Sequence, residues 1–136
     1  MPKPPLPAAV AEELAKPWYA TISTVRPDGQ PVSVPTWYLY EDGRILVNMD
    51  AGRKRLEHLR DNPRVSLSAM DPDDWFTHIS ILGRVTELVD DEGLRDIDRV
   101  ARHYTGEPYA VRDRPRVSAR VSIDRWHAWG RLKDVR

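Results

Sequence analysis

The segment from Arg44 to Met70 constrains the fold most, because its residue pattern changes from strand to helix and back within a short span. It opens with an apolar run, Ile45–Met49, that is typical of a strand. The turn residues 50–52 follow, and a helix then begins that Pro63 must end, since proline cannot continue the hydrogen-bond ladder. A second strand is predicted over Val65–Ala69. This order predicts a strand that feeds a short helix through a tight turn and then returns to a sheet.

Three cationic residues, Arg53, Lys54 and Arg55, lie at the predicted start of this helix. A helix N-terminus carries unpaired N–H groups and a partial positive charge, so added cations make it suited to a phosphate. The same residues also fit an ordinary solvated helix surface that Glu57 and Asp61 partly neutralise. Spacing alone favours neither interpretation over the other.

The rest of the chain is a series of predicted strands, with two further helices among them. The turns at 26–30, 41–43 and 71–74 are rich in the Pro, Asp and Gly residues of hairpins, and Gly83 predicts a bulge in a long strand. The further strands are predicted over Trp18–Val25, Pro31–Tyr40, Trp75–Leu88 and Arg116–Trp126, and the helices over Ala8–Lys16 and between Asp90 and Gly106. The pattern predicts a mainly β (α+β) fold, a small barrel of about six antiparallel strands with short flanking helices.

Composition limits the classes of function. Lys+Arg and Asp+Glu each number 21, so the formal net charge is zero and no overall field attracts nucleic acid or an acidic membrane. Cysteine is absent, which excludes disulfides, thiolate nucleophiles and cysteine metal sites. The sequence has no long apolar run, and its proline-rich start lacks the apolar core of a signal peptide. Residues 1–136 are therefore expected to form a single cytoplasmic domain, with residues 1–7 as an extended lead.

The sequence lacks the motifs of several common enzyme classes. Its histidines, His58, His78, His103 and His127, show no metal-ligand spacing. Neither a G-x-S-x-G elbow nor a glycine-rich nucleotide loop occurs. The acidic turn at 71–74 fits a solvated hairpin better than a cation site. We therefore expect no metal site, and the sequence assigns no catalytic side chain.

Six short motifs occur in an order and spacing that resemble a known group of proteins. They are Ala20–Thr24, Asp28–Pro31, Val34–Tyr38, Arg53–Leu56, Asn62–Leu67 and Gly83–Val85. Together they resemble the split β-barrel flavoproteins of the pyridoxamine 5'-phosphate oxidase superfamily, and within it the actinobacterial flavin/deazaflavin oxidoreductase branch. The resemblance implies an FMN-binding type of split barrel, and a homodimer with two cofactor sites at the subunit interface.

The resemblance also assigns cofactor-binding residues position by position. The cofactor phosphate falls on Arg53 and Arg55, with Lys54 between them. The strand that lines the ring, the strand before the phosphate turn and the pocket mouth correspond to Val34, Pro35, Thr36, Trp37, Val47, Asn48, Met49 and Trp75. Unlike the oxidases that act on pyridoxamine phosphate, the chain has no charge in the strand Val34–Leu39, which argues against that substrate. His58 also replaces the amide residue that is common at its helix position.

The resemblance implies an oxidoreductase that uses the deazaflavin coenzyme F420 for hydride transfer to a small unsaturated or heterocyclic substrate, with FMN as the alternative cofactor. If a proton is needed after hydride delivery, Tyr38, His78 or bulk water is expected to supply it. The acidic lactyl-glutamate tail of F420 needs cations beyond the phosphate, which Arg60, Arg64 and the arginines of 112–116 could supply.

Two alternatives belong to other classes of protein. The first is a non-catalytic flavin- or haem-binding module on the same barrel. The second is a small nucleic-acid-binding barrel that would use Arg53–Arg60 with Trp37 and Trp75, although the zero net charge argues against it.

Overall fold

The computed structural model describes residues 1–135, which contain seven strands and three α-helices. The strands are β1 (Tyr19–Val25), β2 (Pro31–Thr36), β3 (Leu39–Glu41), β4 (Arg44–Asp50), β5 (Arg64–Asp71), β6 (Asp74–Asp90) and β7 (Arg116–Ala128). The helices are α1 (Ala8–Leu14), α2 (Lys54–Asp61) and α3 (Arg95–Thr105), with 3₁₀ turns at Glu92–Leu94 and Gly130–Leu132. The predicted mainly β fold with short flanking helices is confirmed. None of the helices within residues 1–135 is long and apolar enough to cross a membrane.

All seven strands pair antiparallel in one sheet of order β2-β1-β5-β6-β7-β4-β3. The prediction of one strand over Pro31–Tyr40 is wrong, because Trp37 and Tyr38 separate β2 from β3. These two consecutive strands form opposite edges of the sheet, so the sheet curls to let this two-residue link join them. β2 accommodates Pro31 and Pro35 because an edge strand needs hydrogen bonds on one side only.

The main core fills the inside of this curl. Strand side chains that are nearly inaccessible to solvent include Ile22, Val47, Met49, Ile79 and Ala119, and the helices α1 and α2 add Val10, Leu14, Leu56 and Leu59. Burying each of the larger side chains contributes about 1.5–3 kcal/mol to folding. The core therefore fixes the buried side of α2, and with it the position of the basic residues at the start of the helix.

Helix α3 packs on the opposite face of β4. Its Ile97 and Val100 form a second apolar cluster with Leu46 of β4. Since successive strand residues point to opposite faces, Leu46 and Asn48 face α3 while Val47 faces the main core. The space between β4 and α3 is therefore separate from the core.

The start of α3 differs from the prediction. Asp90 ends β6, and the helix begins at Arg95. The buried carboxylate of Asp91 accepts hydrogen bonds from the backbone N–H groups of Asp96 and Ile97, at 2.8 and 2.9 Å. Asp91 thus satisfies two N–H groups of the helix N-terminus from a position outside the helix.

The predicted irregularity at Gly83 is confirmed. The pairing register of β6 with β7 shifts between Leu82 and Gly83. A side chain at Gly83 would overlap the carbonyl oxygen of Ser122 and would approach Val121 Cγ1 to 2.9 Å. Only glycine fits at this close approach of two backbones.

The extended lead lies beside β7. The backbone N–H of Trp126 donates to the carbonyl oxygen of Pro2 at 3.0 Å, and its indole Nε1 donates to that of Lys3 at 3.2 Å. These bonds attach the first residues of the chain to the last strand.

Candidate functional site

Two neighbouring clefts lie where β2, β4, α2, α3 and β7 meet. The first, called here the aromatic cleft, has a volume of about 440 Å³ and is lined by Tyr19, Ala20, Pro35, Thr36, Trp37, Asn48, Arg55, Ile97, Val100, Tyr104, Tyr109 and Arg116. The second, called here the basic cleft, has a volume of about 460 Å³ and is lined by Thr24, Val32, Val34, Pro35, Gly52, Arg53, Lys54, Arg55 and His58. Because both clefts are lined by Pro35 and Arg55, they form one groove with an aromatic end and a cationic end.

The cationic end is built by the turn between β4 and α2. Asp50 holds this turn closed, since its carboxylate accepts from Gly52 N–H at 2.8 Å and its carbonyl accepts from Arg53 N–H at 3.0 Å. Arg53 is the N-cap residue, with an extended backbone, and α2 starts at Lys54. The unpaired N–H groups and the partial positive charge of the helix start therefore lie among the basic side chains.

Arg55 is the most unusual group of the basic cleft. Its side chain is half-buried, and its Nε is buried without a hydrogen-bond partner among residues 1–135. Burial first, and then the charges of Arg53 and Arg116, lower the pKa of its guanidinium from the usual value. Arginine nevertheless stays charged in proteins, so a positive charge with an unsatisfied donor points to an anion as the missing partner.

Two further residues of the basic cleft form a pair that sequence analysis missed. The Nδ1 atom of His58 lies 3.1 Å from the hydroxyl of Thr24, which is buried in β1. Helix spacing could have placed His58 in the same site as Arg55, because it lies three residues later on the same side of α2.

The aromatic end is built around Trp37, in the link between the two sheet edges. Its ring stacks on Tyr104 of α3, with centroids 5.3 Å apart and planes inclined by 14°, and meets the edge of Tyr109 at 6.4 Å. The Tyr104 hydroxyl donates to the carbonyl of Trp18 at 2.7 Å, and burial raises the pKa of Tyr104 to about 12. The wall of the cleft thus contains a stacked pair, Trp37 and Tyr104, with Tyr109 edge-on to it.

A polar group in the same cleft centres on Asn48. Its Nδ2 donates to Asp91 at 3.0 Å and to the Ser118 hydroxyl at 3.1 Å. Its Oδ1 accepts from Arg116 Nε at 2.7 Å, and the Arg116 guanidinium lies 4.7 Å from the centroid of the Tyr109 ring. Arg116 is thereby held against an aromatic face at the wall of the cleft.

The structure brings together most of the residues that the resemblance assigned to a cofactor. The residues that line the groove are Val34, Pro35, Thr36, Trp37, Asn48, Arg53, Lys54 and Arg55. Val47 and Met49 instead have side chains in the main core, on the other face of β4 from Asn48. Trp75 lines neither cleft; it lies at the start of β6, is 66% exposed and stacks on Phe76.

Several expectations for individual side chains need correction. The Tyr38 hydroxyl is buried and donates to the carbonyl of Leu14 at 2.7 Å, so it is not available to a ligand in the groove. His78 contacts the carbonyl of Phe76 and lines neither cleft. The arginines after α3 are partly engaged elsewhere, since salt bridges join Arg112 to Asp98 and Arg114 to Asp50.

Tyr104 and Tyr109, which sequence analysis missed, and Arg116, which it predicted only as a contact of the cofactor tail, come from distant parts of the chain. Tyr104 packs against the apolar cluster of Leu46, Ile97 and Val100, and it also forms part of the cleft wall. Tyr109 and Arg116 lie in or next to a connection that has no regular pattern. Only the pairing of β7 with β4 brings Arg116 next to Asn48.

Comparison with known proteins agrees with this architecture. The sequence pattern of the family described as pyridoxamine 5'-phosphate oxidase matches residues 6–130. No protein in a search of the curated proteins matches the chain.

Solved structures include several with the same fold. A protein described as an F420 reductase superimposes with a TM-score of 0.80 at 26% identity, covering 89% of this chain and 98% of that one. A conserved hypothetical protein from Mycobacterium tuberculosis gives a TM-score of 0.71 at 29% identity, covering 93% and 86% of the two chains. General Stress Protein 26 from Bacillus anthracis shares the fold alone, with a TM-score of 0.65 at 20% identity over 88% and 93%. The curled sheet is thus the predicted split barrel, and the chain belongs to the pyridoxamine 5'-phosphate oxidase family.

Proposed function

We propose that this protein is an oxidoreductase that binds coenzyme F420 in the groove and transfers a hydride to a small unsaturated or heterocyclic substrate. When bound, the deazaflavin supplies the hydride chemistry, and the protein supplies binding, orientation and exclusion of water. Such a reaction needs no nucleophilic side chain, and none of the side chains of residues 1–135 that line the groove is arranged as one.

One observation carries the proposal: the buried, unpartnered Nε of Arg55 at the junction of the two clefts. Arg55 lies in the first turn of α2, next to the exposed Arg53. A phosphate there would accept charge-assisted hydrogen bonds and would neutralise the repulsion between the two arginines. The donor set of the basic cleft therefore fits the phosphate that both F420 and FMN carry.

The aromatic cleft suits the ring of such a cofactor. The stacked pair of Trp37 and Tyr104 presents aromatic surface to the cleft, and Ile97 and Val100 of α3 add apolar walls. Flat rings gain both area burial and offset stacking against such a surface. The groove thus offers a place for the ring beside the place for the phosphate, joined at Pro35.

The cations outside the basic cleft favour F420 over FMN. F420 continues past its phosphate into an acidic tail, whereas the FMN phosphate is terminal. Arg60 and Arg64 are exposed along and after α2 and form no salt bridge within residues 1–135, so they can serve an acidic tail more readily than Arg112 and Arg114, which pair with carboxylates. The similarity to the protein described as an F420 reductase supports the same choice.

The test is a titration of the purified cofactor-free protein with F420 and with FMN, followed by cofactor fluorescence. We expect F420 to bind more tightly, with a difference that shrinks as salt screens the acidic tail. FMN that co-purifies at one per chain and resists displacement by F420 would make FMN the cofactor. Affinity for neither would refute the proposal.

Turnover is a separate test from binding. Reduced F420 that is oxidised in the presence of an unsaturated or heterocyclic acceptor, at a rate that depends on the protein, would support an enzyme. Cofactor that binds and can be reduced, but is never reoxidised by such an acceptor, would favour the non-catalytic module.

A further inference from the structure

Arg116 is a cation in the aromatic cleft that the proposed phosphate site does not use. Neighbouring arginines are held by carboxylates: Arg112 by Asp98 and Arg114 by Asp50. Arg116 forms no salt bridge within residues 1–135, and its partners are the side chain of Asn48 and the ring of Tyr109. Its charge is therefore available to a ligand.

The guanidinium of Arg116 is fixed rather than mobile. Nε donates to Asn48 Oδ1 at 2.7 Å, while Nη2 lies 3.5 Å from the Asn48 carbonyl, which is long for a hydrogen bond. The plane of the group lies over Tyr109 at 4.7 Å from the ring centroid. Nη1 makes no hydrogen bond with the described part of the chain, so the terminal nitrogens keep donors for a planar acceptor.

Asn48 acts as a positioning residue for this arginine. Its two amide hydrogens are used by acceptors, Asp91 and Ser118, so its oxygen must face Arg116. Asp91 is itself fixed by the two backbone N–H groups at the start of α3. The orientation of Arg116 is thus tied to the helix that forms the opposite wall of the cleft.

We propose that Arg116 determines substrate specificity: it binds the carboxylate or conjugated oxyanion of a planar unsaturated substrate in the aromatic cleft. This inference rests on the proposed function. A guanidinium with two terminal nitrogens matches the two oxygens of a carboxylate. The Tyr109 ring beside the guanidinium favours a flat molecule, and this molecule must be small enough to share the cleft of about 440 Å³ with the cofactor ring. A carboxylate forms a charge-assisted pair with this guanidinium and a neutral analogue does not, so uncharged analogues should bind less tightly.

The experiment compares two probes of nearly the same shape, trans-cinnamate and cinnamamide. Each is titrated into the wild-type protein, without cofactor and loaded with F420, and affinity is measured by calorimetry. We expect cinnamate to bind about 10- to 100-fold more tightly than cinnamamide in both forms, the effect of one charged hydrogen-bonded pair.

Three variants locate the effect. Arg116→Gln should abolish the preference for cinnamate, and Arg116→Lys should restore only part of it, because lysine has the charge without the planar fork. Arg125→Gln is the matched control: it removes the same charge from an exposed position on β7, outside both clefts, and should keep the preference. Circular dichroism checks that each variant is folded.

Three results would overturn the proposal. Equal affinities for the two probes would show that the cleft does not discriminate between a charged and a neutral ligand. An unchanged preference in Arg116→Gln would show that another residue recognises the carboxylate. Loss of cinnamate binding on loading with F420 would assign Arg116 to the cofactor. Failure of F420 to bind would refute the proposed function. The titrations of the cofactor-free protein need no F420, so they would still test the preference for a carboxylate.

Discussion

Arg55 and Lys54 are neighbours in sequence, but their environments differ. The Lys54 side chain is 85% exposed and pairs with Glu57 at 3.5 Å, as on an ordinary helix surface. The Arg55 Nε is buried, has no partner among residues 1–135 and lies close to other positive charges. The two interpretations of the basic helix start therefore apply to different residues: Lys54 belongs mainly to the solvated surface and Arg55 to the candidate anion site.

The role of the buried Tyr38 hydroxyl can be tested by removing it. Its hydroxyl is buried and donates to the Leu14 carbonyl, so Tyr38→Phe leaves that carbonyl without this partner. We expect a loss of about 1 kcal/mol in the free energy of unfolding. Cofactor affinity and turnover should not change, because the hydroxyl does not reach the groove.

Urea unfolding and cofactor titration of the Tyr38→Phe protein measure both quantities. A variant of normal stability whose turnover has fallen sharply would instead make Tyr38 the proton donor.

Contiguous site residues were predictable from sequence and distant ones were not. Residues 34–37 and 53–55 form short motifs, so a resemblance could identify them. Tyr104 and Arg116 reach the cleft only because α3 packs on β4 and β7 pairs with β4. Val47 and Met49 share a strand with Asn48 and were assigned with it, but alternation of side chains places them in the core.

Among the elements, helix α3 is attached to the sheet by Arg99, which pairs with carboxylates of both β3 and α3. Arg99 donates to both carboxylate oxygens of Glu41 in β3, at 2.8 and 3.0 Å, and to Asp96 at 3.0 Å. The hydrogen bonds from Arg99 lower the pKa of Glu41. Burial opposes the charge on Asp96, but the Ser118 hydroxyl and Arg99 outweigh it and lower the pKa of that carboxyl too.

These lowered pKa values predict the pH dependence of the Arg99→Gln variant. Carboxyls with a lowered pKa stabilise the fold above their usual pKa, and this contribution is lost as the pH falls through the lowered values. At neutral pH the variant should be about 1 kcal/mol or less destabilised, because the pair is half-exposed and screened. Below about pH 4 the difference from wild type should shrink as the carboxyls become protonated.

Urea unfolding at neutral and acid pH measures this difference. Arg95→Gln removes an exposed charge from the same helix and serves as the control. A destabilisation of the Arg99→Gln protein that stayed constant across this pH range would exclude the ion pairs as its cause.

Most elements followed from local pattern, but strand pairing did not. The apolar runs and hairpin turns predicted the strands near their observed places. The run 31–40 has continuous strand composition, and nothing local shows that its two halves pair with opposite edges of the sheet. The start of α3 was misplaced because Asp91 caps the helix from beyond its first turn.

At the scale of the whole molecule, several large apolar side chains remain uncovered. Trp75 and Phe76 are 66% and 62% exposed and stack on each other, and Tyr19, at the aromatic cleft, is 63% exposed. Exposed apolar groups of this size are typical of interaction surfaces. Since Trp75 does not reach the groove of its own chain, we propose that a second copy brings it to the site.

This proposal predicts a two-fold homodimer with the cofactor near its interface. Light scattering should give twice the chain mass at micromolar concentration, and Trp75→Ser should weaken both the dimer and cofactor binding, since aromatic anchors dominate many interfaces. Trp129→Ser, at another exposed tryptophan, is the comparison. A stable monomer that binds the cofactor with full affinity would contradict an interfacial site.

The most direct test of the cofactor site measures two properties of one variant in which Arg53 and Arg55 are both glutamine. Its cofactor affinity should fall by several kcal/mol, at about 1.5–3 kcal/mol for each charged hydrogen bond lost. The unfolding temperature of its cofactor-free form should stay the same or rise, because Arg55 has repulsive neighbours and its Nε has no hydrogen-bond partner among residues 1–135. A variant with both Arg26→Gln and Arg125→Gln, two exposed positions outside the groove, removes the same two charges and is the control. Unchanged cofactor affinity in the folded double variant would contradict the assignment of this groove as the cofactor site.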